Sequence, residues 1–255
     1  MRRVAVVIAG AWAAVHALTV GVLPFAVGER LSYNAHAAPG VNGHAEMWID
    51  GPFELRGVST IVLRSSFTAK VGFLNVSDNT TSWVDPVRMT SLRFLKDEQH
   101  LLTHHSEDVT LNGASRQWTA ADGRSGTSPT DDPLDELSFI YALREFSLPL
   151  DSTVTFDRHF DAERNPTTLR LTGKGVVTTP AGTFNTREIE MRVRDRRRYR
   201  GEGLIRIALS DDRCRRPVRI ESAIPGAGTV VMTLIAAEPI IAACVPRNAA
   251  TAVAP

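Results

Sequence analysis

Apolar residues recur along this chain at every second position more clearly than at helical spacing. Val154, Phe156 and Arg158 alternate with Thr153, Thr155 and Asp157, the period-two pattern of a strand. The pattern strengthens from Asn185. Ile189, Met191 and Val193 fall on one face, while Glu188, Glu190, Arg192, Arg194, Arg196, Arg198 and Arg200 fall on the other. So long a two-faced run predicts one strand of an antiparallel sheet, apolar toward a core and charged toward water. Gly201-Glu202-Gly203 turns the chain, and Ile205, Ile207 and Leu209 restore the inward face. A turn over 210–216 leads into 217–224, and Pro225-Gly226-Ala227-Gly228 leads into 229–236. The result is a predicted four-strand antiparallel meander.

Residues 29–37, 43–50, 58–64, 88–96 and 108–111 also read as extended, separated by Gly, Pro, Asn and Asp. Two segments read as helix. Over 132–146, Asp132 serves as N-cap, Pro133 as the first helical residue and Asp135 as an acid in the positive first turn; Leu134, Leu137, Ile140, Tyr141 and Leu143 form an apolar stripe. Over 66–74, Phe67, Val71 and Leu74 stand at helical spacing. Many one-sided strands with one amphipathic helix predict a mainly β fold: a strongly curved antiparallel sheet or incomplete β-barrel around the helix. Such a shape leaves a concave apolar surface beside Leu137, Ile140 and Tyr141, either core or ligand pocket.

The N-terminus adds a compartment. Arg2 and Arg3 precede an apolar run from Val4 to Ala14 and a small-residue pattern, Val15-His16-Ala17, so residues 1–17 read as a signal peptide. The alternative is a retained inner-membrane anchor facing the periplasm, because the run stays apolar to Val27 except at His16 and Thr19. No cysteine follows this run closely, which excludes lipid attachment of the lipoprotein kind. In an oxidising compartment the only two cysteines, Cys214 and Cys244, form a candidate disulfide. The meander returns the chain to the end of the sheet where Cys214 lies. One β-rich domain is expected over 24–236, with a C-terminal extension over 237–255 that ends in an Ala-rich, disordered tail.

Composition excludes little. At 255 residues and 43% hydrophobic content the chain can fill a sizeable core, and a net charge of +1 gives no general attraction to nucleic acid or membranes. The basic residues are nearly all arginine; Lys70, Lys96 and Lys174 are the only lysines.

The motifs, in order, resemble the exported bacterial family catalogued as domain of unknown function 3108. The opening stretch from Pro24 to Tyr33 is similar to that family's mature N-terminus, and Val76-Ser77-Asp78 with Asp85 to its first half. Asp132-Pro133-Leu134 with Tyr141 and Arg144 resembles its helix motif. Thr179-Pro180-Ala181-Gly182-Thr183-Phe184 is followed by Leu209-Ser210-Asp211-Asp212 and then by Pro217-Val218-Arg219-Ile220. The family usually carries a tryptophan where Ala208 stands here. The resemblance implies an envelope location and, by analogy with lipoprotein-carrier folds, an incomplete barrel around a helix; it implies no activity.

Candidate chemistry is sparse. There is no Gly-x-Ser-x-Gly elbow and no cysteine beside a base. His100, His104 and His105 are the one histidine cluster, with His100 and His104 on one face if the segment is a strand, but no metal site is assigned. The carboxylate pairs Asp131/Asp132 and Asp211/Asp212 sit where turns and caps favour aspartate. The arginine row, Arg192, Arg194, Arg196, Arg198 and Arg200, offers guanidinium groups about 7 Å apart for a headgroup or acidic glycan, or else a solvated face paired with nearby acids. The expected function is a non-catalytic periplasmic protein without cofactor that binds a lipid or other amphiphile in its concave sheet. The alternative is a structural or assembly factor that binds an envelope protein or acidic polysaccharide through the arginine-rich strand. Nucleic acid is not an expected partner, since no stacking aromatics accompany the arginines.

Overall fold

The structure is a computed structural model that describes residues 23–37, 41–71, 74–100, 103–195, 201–224 and 228–239. Among the described residues the first half of the chain forms eight strands: β1 (Arg30–Ala37), β2 (Val41–Leu55), β3 (Val58–Val71), β4 (Leu74–Asp85), β5 (Thr90–His100), β6 (Thr103–Asn112), β7 (Gln117–Ala120) and β8 (Ser125–Thr127). Helix α1 (Glu136–Leu143) follows, then β9 (Thr153–Phe156), β10 (Thr167–Thr179), β11 (Gly182–Asp195), β12 (Gly201–Ser210), β13 (Pro217–Ile224) and β14 (Gly228–Glu238). All fourteen strands form one sheet in the order β8 to β1, then β14 to β9. Two antiparallel meanders are joined where β1 pairs with β14, Tyr33 opposite Leu234.

The sheet must bend. Leu63 on β3 and Leu169 on β10 stand seven places apart in strand order, about 34 Å in a flat sheet at ~4.8 Å per strand. Both nevertheless belong to one core cluster. The free edges, β8 and β9, are successive in the chain, and the segment between them fills the space the curl encloses. A parallel bridge pairs Leu134 with His159, and Phe160 packs edge-on against Trp118 at 5.5 Å. This second cluster, with Phe94, Val109 and Leu111, closes the core on the β8 side while the sheet itself stays open.

Antiparallel connectivity gives the curled sheet two rims. The lower rim carries the connections 56–57, 86–89, 113–116, 180–181 and 211–216. At the upper rim lie the strand ends Ala37 and Val41, Val71 and Leu74, His100 and Thr103, Asp195 and Gly201, and Ile224 and Gly228.

The curved mainly β sheet and the meander over β11 to β14 agree with the sequence reading. Three readings are corrected. Gly201, Glu202 and Gly203 do not form a turn but open strand β12, opposite Asp195, Arg194 and Val193 of β11, where the ladder satisfies their backbone groups. Residues 66–71 belong to strand β3, not to a helix: Phe67 and Ala69 stand opposite Ala45 and Gly43, and pairing with β2 and β4 satisfies the backbone of a Ser/Thr-rich stretch with little helix propensity. The helix starts three residues later than expected and is capped by Asp135 rather than Asp132. Asp135 Oδ1 accepts the backbone N–H groups of Leu137 and Ser138, both at 2.9 Å, while Ser138 Oγ accepts the Asp135 N–H at 2.9 Å. This reciprocal pair is a stronger terminus than a lone aspartate. Asp132 instead accepts the Thr90 hydroxyl at 3.0 Å and pairs with Arg88 at 2.6 Å. The carbonyl of Pro133 accepts the Ser91 N–H at 2.8 Å.

Candidate functional site

Helix α1 lies across the inside of the sheet. At its start Asp135, fully buried, also accepts the hydroxyls of Ser82 on β4 and Ser91 on β5. Burial pushes the Asp135 carboxyl up, against the hydrogen bonds from Ser138, Ser82, Ser91 and Leu137. At its end Arg144 is 1% exposed. It donates to both Glu29 carboxylate oxygens and to the carbonyls of Pro24 and Cys214. The Arg144 guanidinium also lies over the rings of Phe25 and Tyr141, at 5.0 and 5.5 Å. Some of the residues carrying the family resemblance converge here: Pro24, Tyr33, Tyr141, Arg144, Asp212 and Pro217. Asp212 Oδ1 shapes the 211–216 turn by accepting from Ser210 and from the Cys214 and Arg215 N–H groups. Arg215 then caps the helix by donating to the carbonyls of Arg144 and Phe146. The Tyr33 hydroxyl donates to the Pro217 carbonyl at 3.0 Å. Gly182, at φ +130 on leaving the β10–β11 turn, holds a backbone conformation that residues with a Cβ rarely adopt. Asp211 bridges Arg187 and Lys174, which hold its carboxyl below its usual range. These motif residues fasten the N-terminal segment, the helix and the β12–β13 turn together.

Leu137, 6% exposed, and Tyr141, 0% exposed, are core residues, so the expected pocket does not reach them. Ile140 is half-buried against that core and shares with Glu136 the less buried face of the helix. The inner face of the sheet continues this surface toward the upper rim. On its apolar side Phe67 stands opposite Ala45, Met232 opposite Ala35 and Ile220, and Ile205 opposite Met191, with Val193 two residues beyond. Phe67, Met232, Ile205 and Val193 are only partly buried.

On the β4–β6 side the same face becomes charged. Lys96, 4% exposed, reaches Glu98 at 3.1 Å and Glu136 at 2.6 Å. Arg164 pairs with Glu136 and lies 3.6 Å from Glu107 and 3.8 Å from Asp195. These carboxylates outweigh burial and raise the Arg164 guanidinium above its usual value. Sequence reasoning missed this network. Its one signal was that Phe94, Lys96 and Glu98 stand at alternate positions, which places a lysine and a glutamate on the inward face of β5.

The arginine row does not face this surface. Arg192 and Arg194 are exposed and alternate with the inward Met191 and Val193, so they project from the outer face. Arg194 lies 3.8 Å from Glu202 and donates to the Asn165 carbonyl, while Arg206 pairs with Glu190 on the same face. Arg196, Arg198 and Arg200 lie outside the described residues, as do Cys244 and the predicted signal peptide. Cys214 is buried. The histidines are split between strands: His104 on β6 contacts Asp97 at 2.5 Å, and His105 contacts Glu107 at 3.2 Å. Among the described residues no three His, Cys, Asp or Glu side chains group as a metal site requires. Two cavities of about 290 and 390 Å3 lie along β5 and β6, the first reaching Leu55 and Arg56 and the second Asn79 and Thr81. They share Asp108 and Ala121, and neither is lined by Leu137, Ile140 or Tyr141.

These features define a class: an antiparallel β-barrel left open along one side, with a helix pinned inside it. Within that class, the chain belongs to the DUF3108 family of proteins of unknown function, whose sequence profile matches residues 32–235. No curated protein matches it. Among solved structures it is similar to a β-barrel-like DUF1849 protein from Brucella abortus, at TM-score 0.57 and 12% identity, over 82% of this chain and 96% of that one. A candidate lipoprotein from Parabacteroides distasonis aligns at TM-score 0.36 and 11% identity, over 85% of this chain and 97% of the other. A candidate exported protein with a YmcC-like fold from Bacteroides fragilis aligns at 0.33 and 10%, over 85% and 98%.

Proposed function

We propose that this chain is a non-catalytic protein of the bacterial envelope that holds an amphiphile at the upper rim of its curved sheet. The observation that carries the reading is the two-sided inner surface there. Half-exposed Phe67, Ile140, Val193, Ile205 and Met232 form one side, and the Lys96–Glu136–Arg164 network forms the other. An acyl chain gains from the first and a polar head from the second. The polar contact therefore comes from inward charges rather than from the outward Arg192 and Arg194. Export is supported by Arg2 and Arg3 ahead of the apolar run from Val4 to Ala14.

Native mass spectrometry of protein purified from the envelope tests the reading. Co-purifying amphiphiles that are lost on mild delipidation, and that rebind, are expected. A consistently empty protein that crosslinks in cells to one discrete partner would instead favour an assembly factor.

A further inference from the structure

Five large apolar side chains are more than two-fifths exposed among the described residues: Val27 at 44%, Phe53 at 51%, Val87 at 75%, Leu150 at 58% and Val176 at 67%. Single exposed apolar residues are ordinary, but three of these share one place. Val27 lies in the segment entering β1, Phe53 beside the β2–β3 turn and Val87 in the β4–β5 turn, all at the lower rim. Strands β1 to β5 are neighbours in the sheet, so the three tips line up along about 20 Å of rim at ~4.8 Å per strand.

Each exposed side chain follows a small or cyclic apolar residue, giving tips of Ala26-Val27, Pro52-Phe53 and Pro86-Val87. The backbone at or beside each of the three is tied down. The Gly28 N–H donates to the Ile49 carbonyl at 2.9 Å. The Thr60 hydroxyl donates to the Phe53 carbonyl at 2.7 Å. Asp85 Oδ1 accepts the Val87 N–H at 2.8 Å. Fixed apolar tips of this kind match a surface that is itself apolar beneath a polar layer.

The chain indicates which surface that is. The apolar run beginning at Val4 continues to Val22 with interruptions only at His16 and Thr19, and it joins the described fold at Leu23, on this same arc. There Phe25 is buried and Arg144 holds the Pro24 carbonyl at 3.1 Å, which fixes where the run joins the fold. Whether that run is the retained anchor or a leader that crosses the bilayer before it is removed, the membrane it enters meets the fold on the side of the three tips. We propose that this arc of the lower rim docks on a lipid bilayer, with Val27, Phe53 and Val87 entering the interfacial layer and the upper rim held away from the membrane. The arc mixes Arg56 and Arg88 with Glu54 and Asp85, so insertion, not charge attraction, drives the contact. It persists on zwitterionic vesicles and in high salt.

The test uses the full chain as isolated from the envelope, bound to phosphatidylcholine vesicles. An environment-sensitive fluorophore is attached through Val87→Cys, Phe53→Cys or, at the opposite rim, Thr103→Cys, with the site of labelling confirmed by peptide mapping. Labels at 87 and 53 are expected to shift to the blue and to be quenched by lipid-borne quenchers, while the label at 103 stays in water. Folding being checked by circular dichroism, the triple variant Val27→Ser/Phe53→Ser/Val87→Ser should lower vesicle partition at least tenfold if the leader has been removed. Labels at 87 and 53 as wet as the one at 103, or a folded chain that ignores vesicles, would overturn the proposal.

Discussion

Arg144, at the C-terminal cap of α1, and Glu29, immediately before β1, form a two-pronged ion pair with Nη1–Oε1 at 2.5 Å and Nη2–Oε2 at 2.9 Å, their side chains 1% and 4% exposed. Burial alone would lower the Arg144 pKa; the Glu29 carboxylate keeps it above its ordinary value. A charge this deep needs its partner, because removing one member leaves the other desolvated and unpaired. Arg144→Met should therefore cost about 3–5 kcal/mol. The double variant Arg144→Met/Glu29→Gln should regain part of that loss, although the carbonyls of Pro24 and Cys214 still lose their donor. Urea melts of the two variants and the parent check this, and equal losses in the single and double variants would contradict the pairing argument.

What the sequence made legible was whatever local periodicity or turn chemistry specified. The alternation at Ile189, Met191 and Val193 placed β11 and its neighbours, and Asp212 and Pro217 marked the turn between β12 and β13. What it hid depended on partners distant in the chain. Asp132 and Asp135 are both sound helix starts locally. Ser82, Ser91 and Ser138 decide for Asp135, and two of those three lie more than forty residues away. The arginines of β11 dominated the sequence because they are consecutive on one face, yet alternation alone sends them outward once Met191 and Val193 face the core. The inward charges were illegible because Lys96, Glu136, Arg164 and Asp195 come from four separate segments.

Cys214 is expected to be bridged to Cys244. Pro239, five residues before Cys244, already lies at the β12–β13 turn, where its carbonyl accepts from Arg216 at 3.2 Å. Denatured, unreduced protein should show no free thiol, and peptide mapping should recover a 214–244 linked pair. Reduction should lower stability by about 3–4 kcal/mol on the loop-entropy model for a loop of roughly 30 residues. Two titratable thiols in oxidised, periplasm-derived protein would contradict the bridge.

The amphiphile reading separates from general stickiness through Ile205. Half-buried beside the upper rim, it can accept a carboxylate there with only a modest loss of stability, whereas an acyl chain lying on it cannot. Ile205→Asp should reduce retention of the co-purified amphiphile at least tenfold while leaving the urea midpoint nearly unchanged. Arg192→Ala, on the outer face, should leave retention as it was. Extraction and mass spectrometry of both variants give the comparison, and loss of cargo from the arginine variant alone would return the headgroup contact to the outer face.

His159 links the core to pH. Its ring stacks obliquely on Phe160 at 4.6 Å, Nδ1 accepts the Asp161 N–H at 3.0 Å, and Nε2 is buried without a hydrogen-bond partner. Burial, with the nearby Arg164 cation, pushes its pKa down from 6.5 to about 4, against the opposing carboxylates of Glu136 and Asp161. Between those values the unfolded chain binds a proton that the folded chain refuses. The stability this provides is complete above pH 6.5 and is lost as pH falls toward 4, with a magnitude of roughly 3 kcal/mol from ~1.4 kcal/mol per pKa unit. Asp135 acts in the opposite sense, because burial raises its pKa, so its own contribution declines as pH rises. Comparing the parent with His159→Asn cancels that term, since Asp135 is present in both and the asparagine oxygen can still accept from Asp161. Urea melts from pH 7 to pH 4 should show the parent losing more stability than the variant across this window. Parallel curves would mean that the imidazole titrates alike in the folded and the unfolded chain.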